Sequence, residues 1–161
     1  MELQKLNGDI PFDIIAQDRN GKTILLVEVK ARHLKNRQHK DWFIEKVKSY
    51  LQATNAQIPF AMLVDLEDIQ IFRCDVSNWS EPISQIKTAD VLSHYEPKYG
   101  KIRIFYHYLE RLVEAWLRDL AYHWKSKEPP ASEQLSAIGL LQQLEDGTTY
   151  SGTVLSGETV Y

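Results

Sequence analysis

Cysteine is nearly absent: Cys74 stands alone among 161 residues. No disulfide can form within the chain, so a stapled, secreted scaffold is excluded and a reducing, cytoplasmic setting is expected. Long apolar runs are missing too. Nothing approaches the roughly 18 residues that cross a bilayer, and the opening MELQKLNGD lacks the apolar stretch of a secretory signal. Positive charge is not in excess either. A net charge of −3 argues against a protein that coats nucleic acid nonspecifically, so any such contact has to come from a local patch. No glycine-rich phosphate loop and no Gly-x-Ser-x-Gly elbow occurs, which leaves nucleotide hydrolysis and serine hydrolysis without support. His33 and His39 lack partners at zinc-ligand spacing.

What is present suits a folded domain with a substantial core: 43% of residues are hydrophobic and 25% charged. Two β-type runs, about Ile10 to Gln17 and Lys22 to Ala31, flank Asp18-Arg19-Asn20-Gly21, a strong hairpin signal. A basic loop, Arg32 to Lys40, follows. Asp41 is placed to cap a helix reaching Thr54, with Phe43, Val47, Tyr50 and Leu51 at helical spacing. Strands are expected from Phe60 to Asp65 and from Ile69 to Cys74. The stretch from Asp75 to Gly100 offers one short helix near Ala89 to His94. A long helix from Lys101 to Lys125 carries the stripe Phe105, Leu109, Leu112, Trp116, Leu120 and Trp124, suited to a core or a dimer interface. After Pro129-Pro130, a helix is expected over Ser132 to Glu145, then a short strand or a loose tail. A helix between strands, followed by further helices, gives an α/β class bordering on α+β, with a small mixed sheet.

Chemistry concentrates on the hairpin. If Asn20-Gly21 forms a two-residue turn, counting back pairs Ile15 with Leu26 and Asp13 with Glu28. Directly opposed side chains share a face, about 5 Å apart at Cβ. Lys30, two residues beyond Glu28, shares that face about 6–7 Å further along. A three-residue loop with a bulge would instead pair Asp13 with Val27. The other face, with Ile10, Phe12, Ile14, Ala16, Leu25, Val27 and Val29, is apolar throughout. Two facing carboxylates repel, and burying either is costly. A Mg²⁺ ion, or Mn²⁺, removes both penalties, since it takes one or two carboxylates plus water and phosphate oxygens. Such an ion lowers the pKa of a bound water, and a neighbouring ammonium stabilises charge developing on a phosphate.

Ile10-Pro11-Phe12-Asp13, a turn, then Val27-Glu28-Val29-Lys30 resembles the signature of the PD-(D/E)XK nuclease superfamily, in particular the N-terminal nuclease domains of restriction subunits. The likeness runs through the following helix and the strand Phe60 to Val64. It implies a restriction endonuclease-like core, cleavage of DNA or, less often, RNA with Mg²⁺, and Asp13, Glu28 and Lys30 as the catalytic set with Asp13 and Glu28 on the metal. On this reading residues 1–128 are a nuclease-like domain, and residues 129–161 are a helix and tail packed on it or contacting a partner, a second copy included. The residues before Ile10 are too few for the family's usual first helix and strand, so these are shortened or replaced by the C-terminal helices. Some members carry a metal-binding Glu on that first helix, for which Glu2 is the candidate. Others use a Lys or Gln on the helix after Glu-x-Lys, which here implicates Lys46 and Gln52. Arg32, Lys35, Arg37 and Lys40 would hold the phosphate backbone. The rival expectation is a nuclease-like fold that binds or assembles without catalysis.

Overall fold

The computed structural model describes residues 10–32, 37–77 and 79–152. Their elements run β1 (Ile14–Gln17), β2 (Thr23–Val29), α1 (Arg37–Thr54), β3 (Phe60–Val64), β4 (Asp68–Arg73), β5 (Ser84–Lys87), α2 (Thr88–Leu92), α3 (Tyr106–Tyr122), α4 (Ser132–Ala137), α5 (Leu140–Leu144) and β6 (Thr148–Ser151). The six strands form one mixed sheet in the order β5-β4-β3-β2-β1-β6. Only β2 and β3 are parallel, joined by the crossover through α1; every other neighbour is antiparallel. The fold is α/β. No helix among the described residues is long and apolar enough to cross a membrane.

Both faces of the sheet are covered, which explains why β2 and β3 read as continuous apolar runs. On one face, Leu26, Ala61, Leu63 and Phe72 meet Phe43, Val47 and Tyr50 of α1, with Phe12 packed edge-on to Phe43 and Tyr50. On the other, Leu25, Val27, Met62 and Ile71 meet Leu109, Leu112, Trp116 and Leu120 of α3. Side chains alternating across a strand send neighbours to opposite layers, so one strand feeds two cores.

The hairpin reaches its expected register by an unexpected route. The loop is the three-residue kind: the Asp18 N–H donates to the Lys22 carbonyl and the Gly21 N–H to the Asp18 carbonyl, with Gly21 at φ 81°. Gln17 therefore pairs with Thr23. An extra residue, Ile24, then bulges from β2, and Ala16 pairs with Leu25, Ile15 with Leu26 and Ile14 with Val27. Loop and bulge displace the pairing in opposite senses, so from Ala16 to Ile14 the register equals that of a two-residue turn; Asp13 departs from it, its N–H bonding to the Val27 carbonyl, and does not pair with Glu28 as expected.

Other boundaries differ for local reasons. Helix α1 begins at Arg37, so Asp41 lies inside it rather than at its cap. Helix α3 begins only at Tyr106, and the five residues read as its first turns are irregular. It ends where His123 adopts a left-handed conformation, φ 54°, and buried Asp119 accepts the N–H groups of Lys125 and Ser126 at 2.9 Å each. Phe105 and Trp124, the ends of the expected stripe, are consequently exposed. The helix expected over Ser132 to Glu145 is two, broken at Gly139, whose φ of 85° no right-handed helix accommodates. Strand β5 was not foreseen: it is a short edge strand with one buried residue, Ile86, and so carries little pattern.

The C-terminal segment is part of the same body. Leu135, Leu140 and Leu144 enter the α3-side core, and β6 closes the edge of the sheet beside β1. A Cβ at Gly147 would collide with the Gln17 carbonyl, and one at Gly152 with the Phe12 carbonyl, so glycine is what lets this strand approach.

Candidate active site

The ladder between β1 and β2 stops at Ile14, and the chain bends at Phe12 and Asp13. The bend turns Asp13 into the strand end. Its N–H still donates to the Val27 carbonyl at 2.9 Å, while its Oδ2 accepts the N–H of Val29 at 2.7 Å, in place of a backbone carbonyl. Val29 lies between Glu28 and Lys30, so the Asp13 carboxylate is fastened to the peptide that separates the other two expected residues. The three residues lie at the carboxyl end of β2, beside its parallel partner β3, with Glu28 turned to Lys46 of α1 and Asp13 met by Tyr106 of α3. In open α/β sheets this is the end at which ligands bind.

Glu28 points toward α1 and is buried, 4% exposed, at a strand position otherwise occupied by apolar residues. A lone carboxylate there would be strongly unfavourable. It is matched by two ammonium groups: Lys30 Nζ lies 3.1 Å from Oε2 and Lys46 Nζ 3.0 Å from Oε1. Lys46 reaches the site from the middle of α1, its Nζ 4.8 Å from the Phe12 ring centroid. Trp42, one helical turn earlier, covers both lysines, with Nζ to centroid distances of 5.2 Å for Lys30 and 5.3 Å for Lys46. Tryptophan faces attract cations.

The opposite wall comes from the start of α3. The Tyr106 hydroxyl donates to Asp13 Oδ1 and lies 3.5 Å from Glu110 Oε2, one turn along. Burial, then the hydrogen bond to Asp13 and the charges of Asp13, Glu110 and Glu28, push the Tyr106 phenol well above its usual range. It therefore stays protonated and acts as a donor at neutral pH. Burial also lifts the Glu110 carboxyl to about 7, helped by the charges of Asp13 and Glu114 and opposed by Tyr106 and Arg111. Sequence reasoning overlooked Trp42, Tyr106 and Glu110. The i, i+4 spacing of Tyr106 and Glu110 shows that they share a helix face, but not that this face meets β1.

Comparisons with protein-family models, curated proteins and solved structures gave no match. The case for function therefore rests on this site.

The remaining expected residues are scattered. Arg32 is exposed just beyond β2. Lys40 is turned to Glu81, 3.0 Å from both carboxylate oxygens, and its charge is neutralised there. Gln52 sits near the far end of α1, in an open hollow with Ile58 and Cys74. That hollow is at the amino end of β3, opposite the end that carries Glu28. Glu2, Lys35 and the side chain of Arg37 lie outside the described residues. Asp65 is occupied as a turn cap: Oδ1 accepts the N–H groups of Glu67 and Asp68, at 2.7 Å each.

Glu110 makes a testable contribution to pH dependence. Its carboxyl titrates near 4.5 when unfolded and about 7 when folded. Between these values the unfolded chain holds fewer protons than the folded one, so this group lowers stability as pH rises, with no further change above about 7. Urea unfolding should show wild type losing stability relative to Glu110→Gln across this window. Parallel curves for the two proteins would contradict the assignment.

Proposed function

We propose that the chain is a metal-dependent nuclease of the PD-(D/E)XK, restriction endonuclease-like kind, hydrolysing phosphodiester bonds in DNA. The observation that carries this reading is the hydrogen bond from the Val29 peptide to Asp13, which gathers Asp13, Glu28 and Lys30 at one strand end. An acidic pair with an adjacent ammonium, at the carboxyl end of a parallel strand pair, is suited to holding a cation and a phosphate together.

The donor set fits Mg²⁺ or Mn²⁺. Asp13 and Glu28 offer hard carboxylate oxygens only, and such ions take one or two of these and complete their shell with water and phosphate oxygens. No cluster of three or more His, Cys, Asp or Glu that could hold a metal occurs among the described residues, and Asp13 and Glu28 are the two that would hold the ion. When bound, the ion supplies Lewis acidity toward the phosphate and its attacking water. The protein's own groups do the rest. Asp13 is oriented by the Val29 N–H and the Tyr106 hydroxyl. Lys30 and Lys46 oppose the charge of Glu28 and present ammonium groups to the incoming phosphate. Burial and the charge of Asp75 push the Cys74 thiol up to about 12, so it is not a candidate nucleophile.

One observation favours a second reading. Both oxygens of Glu28 are already matched by lysines, as they would be in a nuclease-like fold that binds or assembles without catalysis. Plasmid nicking separates the two. The purified protein should convert supercoiled DNA to open circles in Mg²⁺ or Mn²⁺ and not in EDTA. No cleavage of DNA or RNA with either ion would leave the binding module as the better account.

A further inference from the structure

The rim of the site is aromatic in a way that neither the core nor the carboxylates require. Trp42 is 48% exposed and Phe105 is 62% exposed. Trp42 stands on the α1 wall over Lys30 and Lys46. Phe105 immediately precedes Tyr106, which touches Asp13 from the α3 wall, and the Arg103 guanidinium carbon lies 4.9 Å from the Phe105 ring centroid. The α1 wall thus sets an open aromatic ring over two cations at Glu28, and a second open ring, with a cation of its own, directly precedes the residue that touches Asp13.

We infer that this rim receives unpaired bases, and that the substrate is single-stranded nucleic acid, its bases stacking on Trp42 and Phe105 and its phosphates meeting Lys30 and Arg103. The inference rests on the nucleic-acid reading of the same site and specifies its substrate. In a duplex the π-faces of the bases are covered by their stacked neighbours, so an aromatic rim rewards only bases that are free. A net charge of −3 points the same way. Phosphate attraction alone would hold a duplex weakly, whereas stacking adds affinity that needs no further positive charge. Lys30 and Lys46 lie against the Trp42 ring and Arg103 against the Phe105 ring.

Fluorescence anisotropy in EDTA tests binding without cleavage. The probes are fluorescein-labelled oligothymidylate, the equivalent oligouridylate and a fully paired thymidylate–adenylate duplex of the same length. Either single strand should bind more tightly than the duplex, and the two single-strand arms show which sugar is preferred. Trp42→Ala should weaken single-strand binding about 5- to 150-fold, Trp42→Tyr should restore most of the loss, and Phe105→Ala should weaken it to a smaller degree. Both positions are exposed, so the variants should remain folded. Duplex binding as tight as single-strand binding, no binding of any probe, or loss of under about twofold in both alanine variants would overturn the inference. Cleavage is read separately, on plasmid and on the single-stranded probes in Mg²⁺ or Mn²⁺: single-strand binding with no cleavage of either would sink the hydrolytic reading and leave the substrate class standing.

Discussion

Lys30→Ala should abolish metal-dependent nicking, with a loss of about 100-fold or more, while the protein stays folded. Lys30 is the one member of the hairpin set that has no part in the ladder beyond its own N–H, which donates to the Val64 carbonyl at 2.8 Å. Alanine keeps that bond. The side chain is 28% exposed, so its removal leaves no cavity in either core. Glu28 keeps Lys46 at 3.0 Å, so its buried charge is still opposed. The cost to stability should therefore stay within about 1–2 kcal/mol, measured by urea unfolding. Glu28→Gln should match the loss of nicking for a different reason, since a neutral amide oxygen is a far weaker ligand for Mg²⁺ than a carboxylate. Isothermal titration distinguishes them: divalent binding should be lost in Glu28→Gln and retained in Lys30→Ala. A Lys30→Ala protein that nicks within a few-fold of wild type would remove the ammonium from the mechanism.

The largest effect on stability is expected at Trp116. It is fully buried in the α3-side core, and its indole N–H donates to the Pro130 carbonyl at 2.9 Å. Trp116→Ala removes the side chain from a packed core and leaves that carbonyl without its donor. Large-to-small substitutions of this kind cost about 3–5 kcal/mol. For a domain near this size the melting temperature falls about 2–4 °C per kcal/mol, so a drop of about 10 °C is expected by calorimetry. Trp116→Phe keeps much of the volume and loses the hydrogen bond, and should fall well short of that drop. The bond also ties α3 to the segment that leads to α4, α5 and β6, so limited proteolysis of Trp116→Ala should open the C-terminal segment first. A Trp116→Ala protein destabilised by less than about 1 kcal/mol would contradict the packing described for this core.

The hairpin shows how legible the sequence was and where legibility ended. The continuous apolar runs of β2 and β3 mark covered central strands, and the α/β class follows. Counting from Asn20-Gly21 gives the observed pairing of Ile15 with Leu26, but the ladder ends at Ile14, and Asp13, expected against Glu28, instead bonds through its N–H to the Val27 carbonyl. The structure arrives at the Ile15–Leu26 pairing, moreover, through a loop and a bulge whose displacements cancel. Nothing in Thr23-Ile24-Leu25 distinguishes a bulged residue from a paired one, because both are apolar and buried. The bend at Asp13 was equally hidden, since it depends on a carboxylate replacing a backbone acceptor for the Val29 N–H.

By itself, the sequence determined local and periodic features: most of the strands and helices, the apolar character of β2 and β3, and that an aspartate, a glutamate and a lysine share one hairpin. Those follow from side-chain period and turn chemistry, which act over a few residues. Only the tertiary structure decided what surrounds that trio. Lys46 and Trp42 come from one covering helix, and Tyr106 and Glu110 come from another, Tyr106 standing 93 residues beyond the Asp13 it touches. Which helix face meets which strand end is set by packing two cores against opposite sides of one sheet, a global condition that no short stretch of residues encodes.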